Sequence, residues 1–96
     1  MPDIHIEGTE TDGGWTFAIS VSDSGQPTYH QVTLDRATYD RLTDGRVSAE
    51  ELVRRSFEFL LEHESQESIL RSFDLTVIGR YFPEYEEEIR GRIAGD

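Results

Sequence analysis

The sequence contains no cysteine, and this absence excludes disulfide bonds, thiolate zinc sites and cysteine nucleophiles. It also lacks any apolar run close to the ~20 residues that a membrane-spanning helix needs. Its N-terminal segment shows neither the basic region nor the apolar region of a signal peptide. From these absences we expect a cytoplasmic protein with no membrane partner.

Lysine is absent as well, so all nine basic residues are arginines, and twenty acidic residues outnumber them. The net charge of −11 disfavours direct binding to nucleic acid, because phosphate binding depends on lysine and arginine. The acidity has two explanations. It either serves solubility, including adaptation to salt, or it forms an acidic surface that a basic partner recognises.

The first third of the chain shows the alternation of β-strands. The apolar residues Trp15, Phe17, Ile19 and Val21 share one face, with small or polar residues between them. The pattern predicts three strands, at 3–6, 15–21 and 28–34, separated by turns at 9–14 and 22–27. A three-stranded antiparallel meander over residues 1–35 follows.

After residue 35 the apolar spacing becomes helical, and capping residues mark the helix starts. The predicted helices cover 36–43, 49–62, 66–72, a stretch after Asp74, and 83–93. Their predicted N-caps are Asp35, Ser48 (in a capping box with Glu51), Ser65 and Asp74, and Pro83 suits the first turn of the last helix. The predicted fold class is α+β, with four to five short helices over residues 36–94 packed on one face of the meander. The whole of residues 1–96 forms one domain.

The stretch from Phe73 to Glu88 combines four aromatic residues with four glutamates. A spacing of three or four residues predicts core positions at Leu70, Phe73, Val77, Tyr81, Tyr85 and Ile89. The glutamates lie near the positive end of the last helix, where Glu86–Arg90 and Glu88–Arg92 are expected ion pairs. The alternative is a binding surface. Residues 75–79 are predicted as helix, with a strand as the alternative.

The helix over 49–62 has an unusually wide apolar face. At about 100° per residue its large apolar side chains spread over roughly 200°, whereas a helix packed on one sheet needs about half of that width. We expect a central helix with neighbours on two sides. The alternative is a subunit interface.

The sequence offers no catalytic, cofactor-binding or metal-binding constellation, and we predict that the protein is not an enzyme. His5 and His30 are expected on opposite sides of the sheet, which argues against a shared metal site, and the residues next to His5 and His63 show no specific ligand spacing. No serine lies in a GxSxG-type elbow, and no phosphate-binding loop is present. Residues 67–82 have a helix-turn-helix-like order, but their second helix contains one basic residue, so direct DNA binding is not expected.

The segment SFEFLLEHESQESILRSFDLTVIGRYFPEYE, from Ser56 to Glu86, resembles the C-terminal block of a family of short uncharacterised bacterial proteins. The family's block contains the elements FEFLLE, SIL and YFPEYE in this order. His63 and Ser65 depart from it, because the family has arginine and proline there. The resemblance implies a bacterial protein and adds no catalytic residue.

The expected function is that of a small, acidic, non-enzymatic protein-interaction module whose partner is another protein or a second copy of the chain. The alternative is an acidic inhibitor that mimics nucleic acid and occupies a basic site on a DNA- or RNA-handling protein. An interaction module requires an exposed apolar patch, whereas mimicry requires a row of spaced carboxylates and an enzyme requires a cleft with convergent polar groups.

Overall fold

The computed structural model describes residues 2–23 and 25–95. The predicted turn at 22–27 includes Ser24, and the predicted domain includes Met1 and Asp96; these three residues lie outside the described ones. The described residues form an α+β fold, in which a four-stranded mixed sheet packs against four α-helices. No helix in this part of the chain is long and apolar enough to cross a membrane.

The N-terminal strands are β1 Asp3–Thr11, β2 Gly14–Ser22 and β3 Thr28–Asp35, and they pair as the predicted antiparallel meander. β1 extends well past residue 6, where the prediction ended it. Its pairing with β2 continues to Thr11 opposite Gly14, although its last residues are polar or glycine. The turn predicted over 9–14 is therefore reduced to Asp12 and Gly13.

One face of the three-stranded part is apolar and buried, and comprises Ile6, Phe17, Ile19, Val21, Val32 and Leu34. On the other face Ala18, Tyr29 and Gln31 are exposed, so the core lies on the side of the helices. Gly8 lies opposite Phe17 on the buried face. A Cβ atom at Gly8 would be 2.6 Å from Cε1 of Phe17, so this position has no room for a side chain.

A fourth strand, β4 Ser72–Asp74, lies parallel to β3 at one edge of the sheet. The prediction of three antiparallel strands is therefore wrong in this detail. The helix predicted over 66–72 is also wrong, because Gln66–Ser68 forms a single 3₁₀ turn and the side chain of Ser65 makes no capping bond to it.

Long-range hydrogen bonds explain why this segment departs from the helical spacing. The buried amide of Gln66 donates to two backbone carbonyls at 3.1 Å. The carbonyl of Leu70 accepts from His30 Nδ1 at 2.7 Å, and the carbonyl of Arg71 accepts from the N–H of Gln31 at 2.7 Å. Since backbone polar groups must find partners, these bonds to the sheet replace those of a helix.

The helices are α1 Arg36–Thr43, α2 Ala49–His63, α3 Ile78–Tyr81 and α4 Tyr85–Ala94. A 3₁₀ turn over Leu75–Val77 leads directly into α3, so residues 75–79 are helical, as predicted, and the strand alternative is wrong.

Three predicted caps are confirmed. Asp35, Ser48 and Asp74 each accept a backbone N–H two or three residues ahead, at 2.8, 3.0 and 3.1 Å. In the predicted capping box, however, the carboxylate of Glu51 accepts from Arg55 Nε at 2.9 Å instead of returning to Ser48.

The last helix begins two residues later than predicted. Phe82 precedes Pro83 and has φ −128° and ψ 89°, because a residue before proline is disfavoured in the helical region. The chain turns there, and the N–H of Tyr85 donates to the carbonyl of Phe82 at 2.9 Å. Pro83 therefore belongs to the turn between α3 and α4.

The wide apolar face of α2 is explained by packing on both sides, as predicted for a central helix. Phe57 faces the sheet, with its ring centroid 5.5 Å from that of His30 and 6.1 Å from that of Phe73. Phe59 faces the C-terminal helices, with its centroid 5.4 Å from that of Tyr85.

The predicted core positions in the C-terminal half hold only in part. Tyr85 and Ile89 are fully buried, but Leu70 and Tyr81 are 46% and 66% exposed. Phe82, the residue after Tyr81, is half-buried. The three-to-four spacing runs across β4, α3 and α4, so it does not describe the face of one continuous helix.

Arginine side chains connect the C-terminal helix to the rest of the fold. Arg92 forms the predicted ion pair with Glu88, with an N–O distance of 3.3 Å. Its guanidinium group also donates two hydrogen bonds to the carboxylate of Glu62 in α2, at 2.7 and 2.9 Å. The predicted pair of Glu86 with Arg90 is wrong, because Glu86 contacts Arg41 of α1 at 2.9 Å.

Candidate functional site

The end of α2 and the segment that follows it surround an apolar groove. After His63 the chain passes through Gln66–Ser68, returns to the sheet as β4 and enters α3. These segments pack around the end of α2. They leave a groove of about 320 Å³ between α2, β4 and α3.

The groove has a buried floor and an exposed rim. Its floor and walls are formed by Leu60, Ile69, Phe73, Val77, Ile78 and Phe82. Leu70 and Tyr81 form the rim, and they are two of the three large hydrophobic residues that are exposed among the described residues. The third, Tyr29, lies on the open face of the sheet. An accumulation of exposed apolar side chains at one depression is typical of a binding surface.

Sheet contacts hold the rim in place. The hydrogen bond from His30 Nδ1 to the carbonyl of Leu70 fixes the chain just before β4. His30 Nε2 lies 2.9 Å from Thr28 Oγ1, so both ring nitrogens have partners. Outside the lining, the ring of His63 packs against Phe59 and against Phe82, with centroids 4.5 and 5.2 Å apart, and so supports Phe82.

Among the described residues that line the groove, Glu64 is the one that carries a formal charge at neutral pH. It ends α2 in an extended conformation, with φ −152° and ψ 163°, and its N–H donates to the carbonyl of Leu60 at 2.9 Å. Burial raises the pKa of Glu64, because the apolar surroundings disfavour the carboxylate charge, and the charge of His63 acts in the opposite direction. No described residue donates a hydrogen bond to its carboxylate or forms an ion pair with it.

The groove lining carries few polar groups. The aliphatic hydroxyl of the lining belongs to Ser68, and its Oγ lies 3.2 Å from Ser65 Oγ. A serine nucleophile needs a base and an orienting acid in reach, and the groove lining supplies one carboxylate and no histidine. The arrangement can therefore receive apolar side chains and offer one negative charge.

A second depression of about 330 Å³ lies between β1 and α2, with Ile4 and Leu61 among its lining residues. Its charged residues include Glu62 and Arg92, which bond to each other. Glu62 and Arg92 are already satisfied within the chain, and the third charged residue, Glu58, is exposed to water, so this depression offers a weaker basis for recognising a ligand.

His5 and His30 lie on opposite faces of the sheet, as predicted. His5 is exposed on the outer face of the sheet, His30 is buried on the inner face, and His63 is at the end of α2. Across residues 2–23 and 25–95 no group of three or more histidine, aspartate or glutamate side chains is arranged to hold a metal ion.

Sequence reasoning missed the groove. Leu70 and Tyr81 were expected in the core, and Glu64 gave no signal because isolated glutamates are frequent in this chain. The spacing of hydrophobic residues predicts that they are close together, but exposure depends on how the short elements after α2 pack.

Comparisons with known proteins leave the family of this chain open. No protein-family model matches the sequence. Searches of curated proteins and of solved structures give no significant match either. The family resemblance of Ser56 to Glu86 therefore stays a prediction.

Proposed function

We propose that this protein is a small, non-enzymatic interaction module of a bacterial cytoplasm, and that its groove binds an apolar segment of another protein. The observation that carries this proposal is the exposure of Leu70 and Tyr81 at the rim of one apolar groove. Large exposed aromatic side chains beside a pocket are frequent contributors to binding energy.

Several features support a different protein as the partner over a second copy of the chain. Each copy carries a net charge of −11, so two copies repel each other. The groove itself presents a carboxylate rather than a cation. A peptide with apolar side chains can place them in the groove, as peptides do in other grooved modules.

Nucleic-acid mimicry is the second candidate, and the net charge of −11 is its support. Two of the glutamates near the start of α4 have arginine partners, however. Glu86 contacts Arg41 and Glu88 contacts Arg92, at 2.9 and 3.3 Å. These contacts reduce the negative charge of the stretch that contains three consecutive glutamates, so we place mimicry behind the groove.

Selection of random-sequence peptides displayed on phage against the immobilised protein tests the proposal. Selected peptides are synthesised, and their affinities are compared for wild type, Tyr81→Ala and Tyr29→Ala. Tyr29 is a matched control, because it is 68% exposed against 66% for Tyr81 but lies on the open face of the sheet. Loss of either exposed ring should change the stability of the fold by no more than about 0.5 kcal/mol.

We expect Tyr81→Ala to weaken peptide binding at least about tenfold, which corresponds to ~1.4 kcal/mol, and Tyr29→Ala to leave it unchanged. Equal binding to all three proteins would overturn the groove as the site. Binding that is confined to polycationic peptides, collapses with added salt and ignores Tyr81→Ala would favour mimicry instead.

A further inference from the structure

Glu64 differs from the other partly buried carboxylates of the chain. In the described residues these are Glu51, Glu64, Asp74 and Glu86. Glu51 binds Arg55, Glu86 binds Arg41, and Asp74 accepts hydrogen bonds from threonines. The carboxylate of Glu64 has no comparable partner among residues 2–23 and 25–95, although it has lost part of its contact with water.

The position of Glu64 makes this missing partner significant. Its side chain lines the groove with apolar neighbours, including Leu60 and Phe82. Removing a carboxylate from water without a compensating partner is unfavourable. A cation that enters the groove with a ligand would supply that partner, and the attraction would act in surroundings where water screens it less than at the open surface.

We propose that Glu64 binds the side chain of an arginine or lysine in the partner segment, so that the groove selects apolar segments that carry a basic residue. This inference rests on the proposed function, because it assumes that a polypeptide occupies the groove. Leu70 and Tyr81 then contact the apolar side chains of the segment, and Glu64 determines where along it the positive charge must lie.

The selected peptides allow a direct test with a double-mutant cycle. Each arginine of a selected peptide is replaced in turn by citrulline, which keeps the shape of the side chain and removes its charge. Wild type and Glu64→Gln are then titrated with both forms of the peptide. Glu67→Gln is the matched control, since it removes one exposed carboxylate from a neighbouring position outside the groove.

We expect one arginine of the peptide at which citrulline weakens binding to wild type about tenfold, the lower end of the range for close charge pairs. The same replacement should have little effect on binding to Glu64→Gln, because the charge that the arginine met is gone. Glu67→Gln should behave like wild type apart from a small general loss of attraction.

A stability measurement separates this role from a structural one. Since burial disfavours the charged form of Glu64, Glu64→Gln should unfold at the same urea concentration as wild type or at a higher one, while it binds the peptide more weakly. A variant that is less stable than wild type and shows no coupling to any peptide charge would overturn the inference.

The two proposals fail in different ways. Suppose that Tyr81→Ala weakens peptide binding but that citrulline changes the affinity for wild type and for Glu64→Gln by the same factor. The groove then binds the peptide without recognising its charge, and only the inference is wrong. If Tyr81→Ala has no effect, the proposed function itself is wrong, whatever the response to Glu64→Gln.

Discussion

Two hydroxyl groups meet in the core between α2 and α4, where Ser56 Oγ lies 2.6 Å from Tyr85 Oη. Ser56 Oγ also lies 2.8 Å from the carbonyl oxygen of Leu52, which can only accept a hydrogen bond. The single hydroxyl proton of Ser56 therefore goes to Leu52, and Tyr85 donates to Ser56. Both side chains are fully buried, so their hydrogen bonds depend on these protein groups.

This chain of donors predicts an asymmetric response to mutation. Tyr85→Phe removes a donor and leaves Ser56 bonded to Leu52, so it should lower the free energy of unfolding by about 0.5–1.5 kcal/mol. Ser56→Ala removes the acceptor and leaves the Tyr85 hydroxyl buried without a partner, which should cost about 1–3 kcal/mol. The double variant has no orphaned hydroxyl, and we expect it to be more stable than Ser56→Ala alone.

Urea titrations of the four proteins at neutral pH measure these free energies and complete a double-mutant cycle. If the free energy of unfolding falls with urea concentration at the same slope in all four proteins, the variants expose the same surface area when they unfold. The reasoning is refuted if Ser56→Ala costs no more than Tyr85→Phe, or if the double variant is no more stable than Ser56→Ala. Either result would mean that the Tyr85 hydroxyl has another partner.

The same pair gives an expectation at alkaline pH. Burial raises the pKa of Tyr85 well above its ordinary value of 10.0, because the core disfavours the phenolate charge. Above pH 10 the unfolded chain releases this proton while the native protein holds it, so stability that is present below pH 10 is lost as the pH rises. Tyr85→Phe has no phenol to titrate, so it does not lose stability in this way. The difference in free energy of unfolding between wild type and Tyr85→Phe should therefore shrink in urea titrations above pH 10.

Two further predictions concern the helices. Ser48→Ala removes the N-cap of α2 and should cost about 1 kcal/mol; an unchanged urea midpoint would mean that α2 begins elsewhere. Arg92→Gln removes the partner that lowers the pKa of Glu62 below its ordinary 4.5. The stability from this pair is present above pH 4.5 and disappears as the pH falls further, so the deficit of Arg92→Gln should narrow in acid. A deficit that is unchanged at low pH would contradict an ionic origin.

The elements that sequence reasoning predicted well depend on neighbours in the chain. The alternation of Trp15 to Val21 and the caps at Asp35 and Ser48 involve groups within a few residues of one another. The central packing of α2 followed from the width of its apolar face, which is also a local property. Such features are determined by short segments of the sequence and depend little on the rest of the fold.

The features that it missed depend on distant partners. β4 is three residues long and exists because its backbone pairs with β3, about forty positions earlier. Tyr85 and Tyr81 have the same residue type and similar spacing from their apolar neighbours, yet one is buried and the other exposed. The break at Phe82 and Pro83 separates them, and only the packing of both helices decides which ring enters the core.

The residues that hold this fold together differ from those that line the groove, and this separation bears on function. Ser56 and Tyr85 satisfy each other in the core, whereas Tyr81 exposes its ring and Glu64 keeps a partly buried charge without a partner. Local rules of stability are most often broken at functional sites. A bound segment that covers Tyr81 and brings a cation to Glu64 would bury exposed apolar surface and compensate the unpaired charge in one step. We therefore expect the ligand to combine apolar side chains, which cover Tyr81, with a positive charge that pairs with Glu64.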